Sequence, residues 1–387
     1  MHNQIITSLL DTDLYKFTMM QCVFHYFKES QVEYRFIARK PIELESYAKH
    51  IREQIDLLCD LKFTQEELDY LATHPFFKPD FIQFLKDFKL NKSNVIINTQ
   101  QGFDLHIKGS WLNTILFEVP LLAIVSECYY SQKYPEHDIT PAKQRLKEKI
   151  EIVKNNAPDL RFTDFGTRRR FAKYWQDILI DTLKSELPMQ FTGTSNVYFA
   201  KKYQINPIGT MAHEFLQACQ VLAPDFETSQ QFALETWLKE YPDTLGIALT
   251  DTITMDVFLS EFNATLANRF IGLRQDSGDP IQWGEKAIAY YESLGIDPKS
   301  KVFVFSDNLT IPKAIDIHNH FKGRVQILFG IGTNLTNDVG IYPLDIVLKM
   351  IYANGKPVIK ISDSPGKMVC EDKQYLANVK KILHLKD

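Results

Sequence analysis

The chain has no cysteine pair at metal or redox spacing, no hydrophobic run long enough for a bilayer, and no strong excess of one charge. Its five cysteines, Cys22, Cys59, Cys128, Cys219 and Cys370, are odd in number and widely scattered. That excludes zinc and CxxC redox motifs and leads us to expect a reducing, cytoplasmic setting. The opening MHNQIITSLLDTDLYKF lacks the basic start and apolar stretch of a secretory signal. The most apolar segment, ILFEVPLLAIV, is shorter than a bilayer span and is interrupted by Glu118 and Pro120, so no membrane association is expected. A formal net charge of -4 gives no basic footprint for nucleic acid, and the short run Arg168 to Arg170 is too local to make one. There is no repeat of fixed period and no low-complexity tract, which excludes a solenoid.

What remains is ordinary globular material: 387 residues, 45% hydrophobic and 24% charged, enough for one large domain and a smaller one at about 150 residues per domain. Residues 1–138 mix helical patterns near 14–27, 42–60, 64–72, 79–88 and 120–133 with an alternating strand, VEYRFIA, and a hairpin formed by NVIINTQ and FDLHIKG. This predicts an α+β domain. Over 139–354 the order becomes strand then helix, repeatedly. The clearest unit runs from FIGLRQ through Asp279 as N-cap and Pro280 at the first helical position to Gly295. Seven apolar runs there end abruptly in small or polar residues: LRFTDFGTRRR, MQFTGTSN, INPIGTMAHE, LGIALTDT, FIGLRQDSGD, VFVFSDN and VQILFGIGT. Such ends resemble the C-terminal rim of a parallel α/β barrel, where substrate groups gather. The strands PVIKIS and KMVC, joined by the turn DSPGK within 355–387, have no helix between them and are expected to rejoin the first domain.

Each rim motif has a chemical and a structural reading. In GLRQDSGDP, Arg274 can fork a carboxylate or phosphate, and Asp276 and Asp279 suit a sugar diol or a magnesium ion; equally, Arg274 and Asp276 can tie down a loop while Asp279 caps the helix. FGIGT, with Gly330, Gly332 and Thr333, lets backbone N–H groups approach a phosphate. His213 can be a nucleophile or general base, or a structural residue, and Glu214 beside it can orient the ring or face solvent. Phe165 next to Arg168, Arg169 and Arg170 suits a flat anionic ring, or begins an amphipathic helix. Thr192, Thr194 and Ser195 are neutral donors, or precede a helix capped near Asn196. Together these features describe a site for a phosphorylated sugar and a planar anion.

LLDTDLYKFTM, DFGTRRR, FTGTSN with GTMAHEF, GLRQDSGD, FGIGT and KISDSPGK stand in the order in which they occur in nicotinate phosphoribosyltransferases, and the chain resembles that family from end to end. The resemblance implies an irregular α/β barrel of the type II phosphoribosyltransferase kind, with an α+β domain built from both chain ends. It implies ATP-coupled transfer of phosphoribose from phosphoribosyl pyrophosphate (PRPP) to nicotinate, giving nicotinate mononucleotide, pyrophosphate, ADP and phosphate, with Mg2+ accompanying the pyrophosphate. By the same resemblance Phe165 stacks on the pyridine ring and Tyr15 of the partner subunit of a homodimer covers its other face. Arg274, supported by Thr194, pairs with the carboxylate and Arg168 adds charge. Asp276 and Asp307 meet the ribose hydroxyls, Gly330, Gly332 and Thr333 cradle the 5′-phosphate, and ATP phosphorylates His213. Nicotinamide phosphoribosyltransferases, the nearest alternative, carry an acidic residue in the segment matching FTGTSN, where this chain has neutral Thr194 and Ser195. A sugar-phosphate lyase or isomerase barrel needs a Schiff-base lysine at a strand tip, and the tips between 160 and 335 offer none.

Overall fold

The computed structural model describes residues 4–364, 368 and 370–383. Eleven strands among them form two sheets: β1 (Gln31–Ala38), β2 (Val95–Asn98), β3 (Asp104–Ser110), β4 (Phe162–Asp164), β5 (Phe191–Thr194), β6 (Ile247–Leu249), β7 (Gly272–Gln275), β8 (Val302–Phe305), β9 (Gln326–Ile331), β10 (Ile346–Ala353) and β11 (Lys356–Pro357). The antiparallel sheet has the order β11-β10-β1-β3-β2, and the parallel sheet the order β5-β4-β9-β8-β7-β6.

The two sheets differ in burial as their pairing requires. In β1, Val32, Tyr34 and Phe36 are buried while the residues between them are not, the alternation of a sheet with one face in the core. β4, β6 and β7 are buried at every position, as expected for parallel strands covered on both faces. The apolar stretch Trp111–Lys133 is long enough to cross a membrane, but 94% of its most hydrophobic window is buried in the protein. It is a core helix.

The α/β architecture is the one expected, with three corrections. INPIGT is not a regular strand: it makes a single parallel bridge, Thr194 to Pro207, whose proline has no N–H with which to extend a ladder, before the chain enters the helix His213–Leu222. The parallel sheet therefore has six regular strands among the described residues. β10 lies inside the range 139–354 read as barrel, yet it pairs antiparallel with β1 from Val32↔Ala353 to Ala38↔Ile346. Its alternating burial fits the half-covered sheet. Of PVIKIS, only Pro357 joins that sheet, paired in β11 together with the preceding Lys356. The following residues cross to the strand tips, where Ile361 N–H donates to Thr252 O (3.0 Å) and Gly278 N–H donates to Ser364 Oγ (2.8 Å). The rest of DSPGK and much of KMVC lie outside the described residues, and a helix unforeseen in the sequence follows at Lys373–Ile382.

The N-terminal segment is stitched to the same tips. Asp13 bridges Asn196, Leu14 N–H donates to Ser195 O (2.8 Å), and Val197 N–H donates to Thr12 O (2.9 Å). The helix Leu14–Tyr26 thus starts at the exit of β5.

Candidate active site

A cavity of about 980 Å3 lies between the C-terminal ends of the parallel strands and the β10 side of the antiparallel sheet. Phe165, Arg168, His213, Arg274, Asp276, Asp307, Gly330, Gly332 and Thr333 all line it. They lie far apart in sequence and meet because all but His213 sit at or just beyond the C-terminal ends of the parallel strands, while His213 starts the helix after the bridge at Pro207.

The floor is an aromatic and a guanidinium. Phe165 follows β4, and its N–H donates to Ile331 O (2.9 Å). A Cβ on Gly330 would overlap the Phe165 ring, so this glycine seats the ring against β9, and its role is at least partly steric. The Arg274 Cζ stands 5.7 Å from the ring centroid. Its guanidinium donates from Nε to Ser306 Oγ (2.8 Å), from Nη1 to Thr210 Oγ1 (2.9 Å) and from Nη2 to Asp276 Oδ1 (2.9 Å). Three of five N–H groups are engaged, which leaves one on each terminal nitrogen for a ligand.

Thr194 does not line the cavity. It is fully buried beneath it, and its hydroxyl donates to Asp164 Oδ2 (2.8 Å). Ser195 donates to Asp13 Oδ1 (2.7 Å). Both hydroxyls are directed to buried carboxylates, so the support for Arg274 comes from Thr210, Ser306 and Asp276. Thr194 and Ser195 therefore present no free hydroxyl to the cavity, whose lining cations include Arg168 and Arg274. Asn196 caps the next helix by accepting from Phe199 N–H (3.1 Å), and Asp279 caps the helix Pro280–Ser293 by accepting from Gln282 N–H (2.8 Å). Asp279 is outside the cavity.

His213 is the first residue of its helix, and its Nε2 meets two groups. Asp251 Oδ1 is at 2.7 Å and Lys360 Nζ at 2.6 Å, while Lys360 also donates to Asp251 Oδ2 (2.9 Å). Asp276 Oδ2 is 3.8 Å from the same nitrogen. Burial, with the Lys360 charge second, lowers the imidazole to about 4 despite the nearby carboxylates, so the ring is neutral at ordinary pH. Asp251 and Asp276 are held below the usual carboxylate range: burial opposes this, and Lys360 with His213, or Arg274 with His213, overcomes it. Ligand atoms of His213, Asp251 and Asp276 lie within 4.8 Å of one another, but the Lys360 ammonium already bridges two of the three. The donor set suits a Mg2+ shared between Asp276 and substrate oxygens better than a complete protein cage.

The opposite wall carries a second ionic network. Lys16 is fully buried and pairs with Glu118 and Glu214. Glu214 also accepts from Tyr34 Oη (2.6 Å) and Trp111 Nε1 (2.7 Å). It neither orients His213 nor faces solvent; it anchors the helix start in the core. Burial would raise Glu118, but Lys16 and Arg168 outweigh it and hold the carboxyl at about 2. Arg168 Nη1 is 3.3 Å from Glu118 Oε1, and Tyr15 Oη donates to Glu118 Oε2 (3.3 Å). Tyr15 lines the cavity of its own chain, because the helix it begins is tied to β5 of that chain.

Lys360, Asp251, Thr210, Ser306 and Glu118 went unnoticed in the sequence. Lys360 and Thr210 stand inside KISDSPGK and IGTMAHEF, and Asp251 directly follows LGIALT; position at a strand tip was the available signal. Nothing local marks Glu118, which lies in the apolar run ILFEVPLLAIV. Lys349 was also missed. It lines the cavity from β10, and burial together with Lys360, Arg168 and Arg39 lowers it to about 7 against the pull of Glu118.

Parallel strands whose tips converge on a guanidinium, an aromatic face, a carboxylate pair and a glycine-rich turn define an α/β transferase site of the type II phosphoribosyltransferase kind. Residues 160–387 match the model of the nicotinate phosphoribosyltransferase (NAPRTase) family, and residues 10–126 match that of the family's N-terminal domain. The chain is 51% identical over 385 residues to a nicotinate phosphoribosyltransferase of Burkholderia mallei, covering 98% of this chain and 96% of the relative. It is 49% identical to that of Ralstonia nicotianae, with coverage of 98% and 99%. Among solved structures, the nicotinate phosphoribosyltransferase of Vibrio cholerae superposes with a TM-score of 0.94 at 40% identity, covering 99% of this chain and 95% of that one. The enzyme from Porphyromonas gingivalis gives 0.93 at 36% identity, with coverage of 98% and 100%. The chain belongs to the nicotinate phosphoribosyltransferase family and is an enzyme of pyridine nucleotide biosynthesis.

Proposed function

We propose that the transfer of phosphoribose from PRPP to nicotinate is coupled to ATP through phosphorylation of His213, with nicotinate mononucleotide, pyrophosphate, ADP and phosphate as products. The observation that carries the coupling is the state of the imidazole: neutral, in the cavity, with Nε2 engaged. With the Nε2 proton donated to Asp251, Lys360 pairs with the other carboxylate oxygen, and Nδ1 keeps its lone pair. That nitrogen attacks the γ-phosphorus, the P–O bond to ADP breaks as the N–P bond forms, and water later cleaves N–P to give phosphate and free imidazole. The phosphoryl group adds negative charge beside Asp276 and Lys360, which alters the affinity of the site for its polyanionic ligands.

In the transfer itself Phe165 and Tyr15 enclose the pyridine ring, and the free N–H groups of Arg274, with Arg168, hold its carboxylate. The pyridine nitrogen bonds to C1 of the ribose as the bond to pyrophosphate breaks. Asp276 and Asp307 hold the ribose hydroxyls, and Gly332 and Thr333, with Gly330 beside them, hold the 5′-phosphate. Mg2+ with PRPP would supply charge neutralisation for the departing pyrophosphate. The setting we propose is cytoplasmic, and the chain is proposed to act as a homodimer.

The test is product formation from PRPP and Mg2+ with nicotinate, nicotinamide or quinolinate, each with and without ATP. Selective, ATP-stimulated formation of nicotinate mononucleotide is expected. His213→Ala should lose the stimulation and keep a slow ATP-independent transfer; full stimulation in that variant would remove the phosphohistidine. Faster turnover of nicotinamide would reverse the assignment of Arg274.

A further inference from the structure

The segment between the short helix Thr333–Thr336 and β10 forms one side of the cavity mouth, and Tyr342 stands on it with 92% of its surface exposed. Isolated exposed aromatics are common, but the backbone beneath this one is unusually well tied. The buried Tyr130 hydroxyl donates to Tyr342 O (3.1 Å) and accepts from Leu344 N–H (2.9 Å). Before it, Arg145 donates twice to Asp338 O (3.1 and 2.9 Å), Lys149 pairs with the Asp338 carboxylate (2.6 Å), and His137 Nε2 lies 2.8 Å from Val339 O. After it, Asp345 takes Arg39 (3.4 Å) and Arg169 (3.2 Å). A ring on a fixed base, with an open face and at the mouth of a ligand cavity, is a preorganised stacking surface.

The charges around it say what stacks. Arg39, Lys40 and Arg169 line the same cavity, Arg39 and Arg169 both at Asp345 of this segment, and a polyphosphate running inward to His213 would pass these cations while its base remained at the mouth. The deeper aromatic, Phe165, lies beside Arg274 and is suited to the pyridine carboxylate. We infer that Tyr342 is the platform on which the purine base of the nucleotide co-substrate stacks. This rests on the ATP-coupled reading above and adds to it the residue that recognises the base.

The test is calorimetric binding of ADP, with inorganic tripolyphosphate as the probe lacking a base, to the wild-type chain, Tyr342→Ala, Tyr342→Trp and Phe165→Ala. In Tyr342→Ala the Kd for ADP should rise by at least about tenfold, as loss of a base-stacking ring predicts. Tyr342→Trp should retain affinity, and tripolyphosphate binding and the nicotinate KM should not change. Equal ADP affinity in Tyr342→Ala would overturn the assignment while leaving ATP coupling intact. Weakening by Phe165→Ala instead would put the base in the deep slot and overturn it too. A change of molecular mass on Tyr342→Ala, without a change in ADP binding, would make the ring part of an interface between chains. If wild-type protein bound neither ADP nor ATP, the coupling itself would fall, and this assignment with it.

Discussion

Arg168, Arg169 and Arg170 leave one turn in three directions. Arg168 faces the cavity beside Glu118, and Arg169 reaches the rim at Asp345. Arg170 is wholly buried and forks Asp11 (2.7 and 3.0 Å) while its Nε donates to Glu127 (2.8 Å). A triplet that reads as one basic patch thus contains two ligand-facing groups and one structural ion pair, the latter joining the N-terminal segment to the barrel. The pairing of His213 with Lys360 has a consequence for pH. Burial and then the positive charge of Lys360 disfavour imidazolium, so Lys360→Met, which removes the second of these while Asp251 and Asp276 remain, should raise the histidine above about 4. Formation of phosphoenzyme from ATP should then fail at a higher pH in the variant than in the wild type; coincident acid limbs would show that Lys360 does not set the titration. The same depression has a stability cost. Between 6.5 and about 4 the unfolded chain binds a proton that the folded chain refuses, so the cost is absent above 6.5 and grows as pH falls through that window.

Among the strands, the closest approaches sit at glycines. A Cβ on Gly272 would collide with the carbonyl of Val302, backbone that cannot turn aside, whereas one on Gly330 would meet only the Phe165 side chain. Gly272→Ala is therefore expected to separate β7 from β8 and lower the Tm sharply. Gly330→Ala should cost about 1–3 kcal/mol of overpacking and chiefly raise the nicotinate KM by displacing the ring; equal Tm losses with unchanged KM would contradict this. The parallel strands were legible because their apolar runs stop abruptly at polar tips. The helices of the first domain were legible from their period, with ends within a few residues. INPIGT misled because a run of the right composition makes only one bridge, at Pro207, which lacks the N–H a longer ladder would need. The direction in which a tip residue points was not legible. Thr194 and Thr333 look alike in sequence, yet one hydroxyl is turned down to Asp164 and the other residue lines the cavity. That distinction depends on a carboxylate 30 residues away, which no local pattern reveals.

At the scale of the molecule, the antiparallel sheet acts as one wall of the cavity: Lys349 on β10 and Tyr34 on β1 both line it. Tyr15 lines the same cavity as Phe165 and Arg274 of its own chain, and whether a second chain shares in that site is a question of association. Co-expression of Tyr15→Ala with Arg274→Ala gives a direct check. Sites built across two chains would recover activity in mixed dimers, because some sites would hold both intact residues, whereas sites built within one chain should show no recovery. One further consequence comes from Lys360, which arrives after β11 and reaches back to His213 and Asp251. On a translating ribosome every barrel strand emerges before this lysine does. The nascent protein can therefore assemble its substrate-binding floor while the histidine still lacks its cationic neighbour, and the nucleotide-driven step acquires its final electrostatics only late in synthesis.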